Sequence, residues 1–238
     1  MILAAASLTI STHAQAGLFD TVPAEGGFII SGFGGLAIPF DSNFSGELVA
    51  SGAGADVDLD FDNSAFYGGS IGVRLPFKFL TYIQPRVELE YARYEADVAG
   101  GSFNGGDQIF SGGQSVNYFF LNNVSDIQWG EDQRLIPYFG GGIGAADTST
   151  NIAYFPNNGV ATSPTIELVN SGTAFATQSI LGLSFKASEN IDVFGEGRYI
   201  KSYGLDVQRR AVSDFSLTSV IDDDPDGITF TGGVRYNF

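Results

Sequence analysis

The segment from residue 227 to residue 238 alternates between two kinds of side chain. One set is apolar or aromatic apart from a single glycine, and the other is polar or glycine. The first set comprises Ile228, Phe230, Gly232, Val234, Tyr236 and Phe238, and the second comprises Thr229, Thr231, Gly233, Arg235 and Asn237. Successive side chains of a β-strand point to opposite faces, so one face of this segment is apolar. A strand of about 9–11 residues with this pattern fits a transmembrane β-barrel, although a soluble sheet can show the same alternation.

The composition favours β structure over a helical membrane protein. The chain has 32 glycines, 21 phenylalanines and 10 tyrosines, and it contains no run of about 18 apolar residues. Its mean hydropathy of +0.10 suits a barrel that is apolar on one face only. The net charge of −16 argues against nucleic-acid binding, which requires basic patches, and the absence of cysteine excludes disulfides and thiolate metal sites.

The pattern of residues 1–16 predicts a secretory signal peptide, which would leave a barrel domain of residues 17–238. A short apolar core is followed by the small-x-small sequence Ala14-Gln15-Ala16, so we expect cleavage before Gly17. No lysine or arginine precedes the core, and we therefore expect the basic region of the signal to be truncated in this sequence. A buried strand at the N-terminus is the alternative interpretation.

Eight apolar, alternating segments are separated by connectors of unequal length. The segments lie at 27–38, 65–76, 81–96, 114–127, 134–146, 174–186, 191–203 and 227–238. Four long connectors alternate with three short ones, which predicts an all-β chain of eight antiparallel strands in up-and-down order. Short periplasmic turns and long extracellular loops are the asymmetry expected of a transmembrane barrel. The dipeptide Asn158-Gly159 predicts a hairpin within the third long connector.

Charged residues fall on one strand face and apolar residues on the other. In the third segment, for example, Arg86, Glu88 and Glu90 oppose Val87 and Leu89. An eight-stranded barrel has room inside only for side chains, so the charged and glycine-rich face is predicted to point inward. The predicted interior charges are Arg74, Arg86, Glu88, Glu90, Lys186, Glu196, Arg198 and Arg235. They either line a narrow aqueous path or form a salt-bridged plug, and the cost of unpaired buried charge favours the plug.

Aromatic residues gather near the predicted strand ends. They are Phe77, Phe79, Tyr82 and Trp129 beside the short turns, and Tyr91 and Tyr94 further along the third segment. Residues of this kind form girdles at membrane interfaces, and packing in a protein core is the alternative. We expect girdles, because the alternating terminal strand already indicates a membrane barrel.

With these segments the sequence resembles the small eight-stranded outer-membrane β-barrels of bacteria, which include OmpA-type transmembrane domains and opacity-type adhesins. The matching motifs are GFIISG at 27–32, ELEY at 88–91, PYFGGGIG at 137–144, GEGRY at 195–199 and GVRYNF at 233–238. The resemblance implies the outer membrane of a Gram-negative bacterium, contact with its lipid and lipopolysaccharide, and a plugged interior. It also implies recognition by the barrel-assembly machinery, which reads a terminal aromatic signal, here Tyr236 and Phe238.

The predicted mature chain contains neither histidine nor cysteine. The only histidine is His13, inside the predicted signal peptide, and there is no cysteine. This excludes Ser–His–Asp and Cys–His arrangements as well as imidazole metal sites. Outer-membrane proteases and lipid A deacylases resemble the predicted architecture but depend on a histidine. We therefore expect no enzymatic activity, and only a mechanism based on carboxylates stays open.

Two acidic clusters lie in the long connectors. They are Asp56, Asp58, Asp60 and Asp62 in the first, and Asp222, Asp224 and Asp226 in the fourth. The second cluster reads D-x-D-x-D-G, the opening of a calcium loop, but Gly233 stands where an EF-hand requires glutamate. The clusters either bind Ca²⁺ or Mg²⁺ weakly, with no other cofactor expected, or are solvated acidic loops. The two loops should lie side by side, because the first and last strands of a closed barrel are neighbours.

Together these observations favour an integral envelope protein with a structural or surface-interaction role and acidic surface loops, which would meet a surface or host ligand. A narrow porin for small solutes is the alternative function. A soluble lipocalin-like carrier fits less well, because its interior would have to be apolar where the sequence predicts charge.

Overall fold

The computed structural model describes residues 21–44, 56–130, 132–156, 160 and 162–238, with the backbone alone described for 42–44 and 218–223. Eight long antiparallel strands close into a barrel, in which each strand pairs with its neighbours in the chain and the first pairs with the last. The strands are β1 (Gly27–Pro39), β2 (Ser64–Arg74), β3 (Ile83–Phe103), β4 (Ile109–Ile127), β5 (Leu135–Phe155), β6 (Ile166–Lys186), β7 (Ile191–Tyr203) and β8 (Asp226–Asn237). The predicted eight-stranded up-and-down barrel is therefore confirmed. Within the described ranges, no helix is long and apolar enough to cross a membrane.

Short connectors lie at one end of the barrel, which we call the short-turn end, and long ones lie at the other. The short connectors are residues 75–82, 128–134 and 187–190. A small strand, Thr21–Pro23, pairs with Phe77–Phe79 in the first of them. The backbone N–H of Phe238 donates to the carbonyl of Phe28 at 3.0 Å, which ties the end of the last strand to the first.

The long connectors at the other end, the hairpin end, are largely built of paired strands. β5 and β6 stay paired as far as Tyr154 and Ile166, and the turn predicted at Asn158-Gly159 lies outside the described residues. The first connector contains the hairpin Ser42–Phe44 with Val57–Phe61, and the fourth contains Leu205–Ala211 with Leu217–Asp223. The first of these hairpins pairs with β3 and the second with β6, so together they continue the barrel wall. They also lie side by side, as predicted.

The interior has two zones of opposite character. Charged and hydrogen-bonding side chains occupy the half near the short turns, whereas the half near the hairpins is a mainly apolar core. The buried apolar residues of that second half include Val57, Leu59, Phe61, Tyr94, Val116, Ile152, Leu168, Leu205 and Val207. The prediction that charge and glycine face inward along all strands is wrong for the hairpin half. The hairpins project into water, so their apolar residues are buried inside the barrel.

The outer surface of the short-turn half is an apolar belt. Phe28, Ile71, Leu89, Leu181 and Phe230 each leave between 57% and 70% of their surface exposed. A soluble protein rarely exposes an apolar surface of this size to water. Where such a surface occurs, it marks a site of interaction with a membrane or a partner. On β6 the belt spans about ten residues, which is the length that a transmembrane strand requires.

Aromatic residues border this belt at both ends. Near the short turns Trp129 is 67% exposed and Tyr82 is 40% exposed. At the upper border the Tyr91 hydroxyl donates to Asn117 at 2.9 Å, so the ring packs on the belt while its polar end meets polar groups. Tyr94 points the other way and is only 7% exposed, so its predicted place in a girdle is wrong.

Candidate functional site

The inward-facing charges of β3 begin the interior ionic network. Arg86, Glu88 and Glu90 occupy alternate positions of the strand, and all three are buried. Arg86 forms ion pairs with Glu88 and with Asp126 of β4. The hydroxyl of Ser70 on β2 donates to Glu88 at 2.8 Å. Neighbouring strands thus neutralise one another, as a buried charge requires.

Arg74 on β2 extends this group towards the short-turn end. Its Nε lies 3.4 Å from the Asp126 carboxylate, and its Nη2 lies 3.8 Å from that of Asp192 on β7. The side-chain amide of Asn237 donates to Asp192 at 3.1 Å. Arg74, Arg86, Glu88, Asp126 and Asp192 form what we call the lower group.

A second set of charges, the upper group, lies deeper in the barrel. Arg198 on β7 pairs with both Glu90 and Glu196. The remaining acceptor sites of Glu90 are used by the amides of Asn122 and Gln178, at 2.9 and 3.3 Å. These five residues come from four strands, so the group reaches across the interior. We use the term interior ionic network for the lower and upper groups together.

Tyr138 on β5 joins the two groups. Its hydroxyl donates to Glu196 of the upper group at 2.8 Å, and its ring centroid lies 4.6 Å from the guanidinium carbon of Arg86 in the lower group. The side chain is fully buried. Gly182 faces it from β6, and a Cβ atom there would come within 2.3 Å of the ring. Only glycine therefore leaves room for this tyrosine.

Two of the predicted interior charges behave differently from the rest. Arg235 on β8 is buried, but it forms no ion pair with a described carboxylate, and its Nε and Nη1 have no hydrogen-bond partner. Its guanidinium carbon lies 4.9 Å from the ring centroid of Phe194. The expected carboxylate partner is thus not found, because Asp192, directly opposite on β7, is engaged by Arg74 and Asn237. Lys186 lines the mouth of the barrel instead of the interior ionic network.

Sequence reasoning missed Asp126 and Asp192. Both lie on the inward face of their strands. The other inward positions of β4 are uncharged, and Glu196 and Arg198 on the inward face of β7 were already predicted. Asp126 follows Asn122 and Val124 at period two, and Asp192 precedes Glu196 by four residues. Continuing the period to the end of each strand would have found them.

The network closes the inner end of a cavity at the short-turn end. This cavity has a volume of about 730 Å³, and its lining includes Arg74, Arg134, Lys186, Asp192 and Asn237. Arg74 and Asp192 belong to the lower group, so the cavity ends where the interior ionic network begins. The arrangement forms a vestibule in front of this network.

The described side chains of the acidic clusters are not assembled into a metal site. Among the residues whose side chains are described, no three carboxylates lie close enough together to hold a metal ion. Asp58 accepts a hydrogen bond from Ser102 at 3.0 Å, and Asp224 accepts one from the backbone N–H of Gly204 at 2.8 Å. Asp226 accepts one from Tyr199 at 2.6 Å. These aspartates are thus engaged by separate neighbours, while the side chain of Asp222 lies outside the described residues.

Comparison with known proteins gives matches among solved structures alone. No family model matches the sequence, and no curated protein matches it. The outer membrane protease OmpT from Escherichia coli is similar with a TM-score of 0.57, at 10% identity, over 92% of this chain and 98% of that chain. The outer membrane protein OprG from Pseudomonas aeruginosa is similar with a TM-score of 0.52, at 16% identity, over 91% and 97%. This is the fold of an outer-membrane β-barrel protein.

The resemblance inferred from the sequence is thus confirmed at the level of the fold, and the predicted outer-membrane location agrees with it. In an outer-membrane barrel the short-turn end is periplasmic and the hairpin end is extracellular. Tyr236 and Phe238 then lie at the periplasmic border, 41% and 73% exposed, with ring centroids 4.8 Å apart. The predicted signal peptide lies outside the described residues.

The similarity to a protease carries no catalytic implication. At 10% identity it concerns the fold of this outer-membrane barrel and nothing finer. The described residues contain neither histidine nor cysteine, because the only histidine of the sequence is His13. An imidazole base or a thiol nucleophile therefore has no place in the described barrel.

Proposed function

We propose that this protein is an integral outer-membrane protein with a structural or surface-interaction role, sealed to solutes and without enzymatic activity. The interior ionic network is the observation that carries this proposal. Its two groups cross the barrel interior behind the periplasmic cavity, and Tyr138 links them. An eight-stranded barrel is only wide enough for its own side chains, so a network of this size leaves no continuous path for water.

The extracellular hairpins support the surface-interaction part of the proposal. Their outward-facing positions carry carboxylates such as Glu95, Asp97, Asp147 and Asp206, all exposed. A surface of one charge sign attracts partners of the opposite sign and repels others, which favours specificity over tight binding. We propose that any cell-surface or host ligand is met here, by the ends of the barrel farthest from the membrane.

The periplasmic border supports a second role for the last strand. Tyr236 and Phe238 are exposed and face away from the interior. We propose that they serve as the signal for the barrel-assembly machinery, as the sequence resemblance implies. Lipid and lipopolysaccharide would then surround the apolar belt of the assembled barrel.

Single-channel recording tests whether the barrel is sealed. We expect the refolded protein to leave a planar bilayer non-conducting, and the variant Arg198→Ala to produce openings by removing the cation that holds Glu90 and Glu196. The variant Arg93→Ala is the matched control, because that arginine lies on the outer face of β3 and pairs with the exposed Glu95. Steady ohmic conductance of the wild type in the nanosiemens range would show an open pore and would support the porin alternative.

A further inference from the structure

The barrel wall is interrupted just above the lipid belt, between β6 and the fourth hairpin. β6 is in register with β7 as far as the pair Phe175–Tyr203, and with the hairpin from the pair Val169–Gln208 onward. Between these pairs, residues 170–174 of β6 lie opposite residues 204–207 but are not paired with them. Gly204 has a φ of +70°, a conformation that glycine adopts without strain and that allows β7 to bend here. The wall therefore opens at this height.

A cavity of about 410 Å³ occupies the interruption. Its lining combines inward-facing and outward-facing positions of the wall. The lining residues are Val169, Asn170, Ser171, Gly172, Thr173, Gly204, Leu205, Asp206, Gln208 and Arg210. Because Asn170 and Leu205 belong to the interior while Thr173 and Gln208 belong to the surface, the cavity reaches from the outside into the wall. We call it the wall cavity.

Asn170 supplies an unused hydrogen-bonding group at the inner side of the wall cavity. The residue is only 8% exposed, and its side-chain nitrogen has no hydrogen-bond partner among the described residues. Buried amide groups are nearly always paired, because leaving one unpaired costs its full desolvation. The structure thus holds an unpaired donor at the inner side of the wall cavity, which a bound molecule can reach when the amide turns towards it.

Aromatic rings lie directly beneath the wall cavity. The rings of Phe175 and Tyr203 pack together, with centroids 5.9 Å apart. Phe175 is the next outward-facing residue of β6 after Thr173, on its periplasmic side. They are 52% and 41% exposed and end the lipid belt on this side of the barrel. Lys201 lies 5.3 Å from the Tyr203 ring centroid. The wall cavity therefore opens where the headgroups of the outer leaflet begin.

The chemistry of the lining favours a sugar over an ion. Asp206 and Arg210 carry opposite charges, so the lining has no net charge, and Arg210 is hydrogen-bonded to Gln208. Amides and hydroxyls of Asn170, Ser171 and Thr173 match the alternating donors and acceptors of sugar hydroxyls. The C–H face of a sugar ring packs well on aromatic rings, which Phe175 and Tyr203 provide at the edge.

We propose that the wall cavity binds an oligosaccharide, either the headgroup of an outer-leaflet glycolipid or a free sugar chain of the same chemistry. The proposal rests on the outer-membrane placement in the proposed function, but it is independent of whether the barrel conducts. A conducting barrel could still bind sugar at its wall, and a sealed barrel could fail to do so. The two proposals are therefore distinguishable by experiment.

NMR spectroscopy of the ¹⁵N-labelled barrel in nanodiscs tests the proposal in two arms. In the first arm the bilayer contains purified lipopolysaccharide, and in the second a phosphatidylcholine nanodisc is titrated with the oligosaccharide released from the same lipopolysaccharide. The readout is the side-chain amide signal of Asn170, which is assigned by its loss in Asn170→Ala. Asn63, an exposed residue just before β2 on the opposite side of the barrel, provides the reference signal.

We expect the Asn170 signal to shift and the Asn63 signal to stay in place. A shift in both arms identifies a site for free sugar, and a shift with lipopolysaccharide alone identifies a glycolipid headgroup site. Titration followed at the backbone amide signals of Ser171 and Gly172, which also line the cavity, should show that Asn170→Ala binds about tenfold more weakly, the effect of one lost hydrogen bond. The variant Asn63→Ala should bind like the wild type.

A second variant keeps the test decisive if Asn170→Ala does not fold. Thr173→Val has nearly the same shape, lies on the outer face and removes one hydroxyl from the lining. We expect it to fold and to bind the sugar a few-fold more weakly. An Asn170 signal unmoved in both arms, or equal binding by the wild type and Thr173→Val, would overturn the proposal.

Discussion

The two halves of β3 are built on opposite plans. From Arg86 to Tyr91 the strand directs charge into the barrel and apolar side chains outward. From Ala92 to Asp97 it directs apolar side chains inward and charge outward. The backbone continues without a break, and the period of two is kept throughout. Only the phase of the hydrophobic pattern changes.

The change of phase shows that the surrounding solvent decides which face of a strand is apolar. Below Tyr91 the outer face meets hydrocarbon, so apolar residues point outward and the interior holds the ionic network. Above it the outer face meets water, so the same barrel acquires an apolar core like that of a soluble protein. One chain thus contains a membrane barrel and a water-exposed barrel, stacked on the same strands. Four substitutions test this division.

The largest effect is expected from breaking the interior ionic network. Arg198→Met leaves Glu90 and Glu196 buried without their cation, which should cost about 3–5 kcal/mol of unfolding free energy. Arg93→Met is the control, and it should cost far less because its pair with Glu95 is exposed to water. Urea unfolding of the barrel in lipid vesicles measures both. Equal losses would mean that the two charge environments do not differ.

The core of the extracellular half should be the next most sensitive region. Leu59 is completely buried there, so Leu59→Ala should leave a cavity and cost about 2–5 kcal/mol. The control is Leu89→Ala in the lipid belt, where hydrocarbon chains fill the space left by the side chain. The same unfolding measurement should show a smaller loss for Leu89→Ala. A larger loss at Leu89 would contradict the assignment of the two halves.

A cation in the lipid belt gives the third effect. Leu183 faces outward on β6 and is 50% exposed, so Leu183→Arg should cost about 2–4 kcal/mol if it lies near the middle of the membrane. Ser149→Arg introduces the same side chain on the outer face of the neighbouring β5, above the belt, and should change the unfolding free energy very little. Similar values for the two variants would show that the belt has been placed at the wrong height.

The smallest effect concerns the tip of the fourth hairpin, which we place in water. Hydrogen bonds from the Ser216 hydroxyl and backbone N–H, at 2.7 and 3.1 Å, hold the pKa of Asp214 below the usual aspartate range. A carboxyl group whose pKa falls on folding stabilises the turn above its unfolded pKa, and this contribution disappears as the pH drops through its folded pKa. Ser216→Ala should raise the pKa of Asp214, as measured by NMR titration of its carboxyl carbon. An unchanged titration would show that the turn does not form.

The barrel itself could be predicted because its evidence is local and repeated. The eight segments and the alternation of connector lengths fix the strand number and order, and each observed strand overlaps its predicted segment. The inward face of the membrane half follows from the same period. Phe238 and Tyr236 also lie at the expected border.

The parts that could not be predicted depend on contacts between distant segments. The change of phase at Tyr91 is visible in the sequence, but a pattern assigned from Arg86, Glu88 and Glu90 alone predicts charge inside beyond it, where Ala92, Tyr94 and Ala96 face inward. Arg235 lacks its expected carboxylate because Asp192 is held by residues of other strands, a competition that no single strand reveals. The wall cavity arises from a mismatch in register between β6 and the bend at Gly204, which also needs both strands.

The paired hairpins at the extracellular end have a consequence for the thermodynamics of recognition. Irregular loops lose backbone freedom when a partner fixes them, and that loss weakens binding. Here β5 and β6 remain hydrogen-bonded beyond the belt, and the first and fourth hairpins are joined to β3 and β6. Much of this ordering is therefore completed when the barrel folds. A partner that contacts these strands meets a surface whose shape already exists, and it loses less entropy on binding than it would with four free loops.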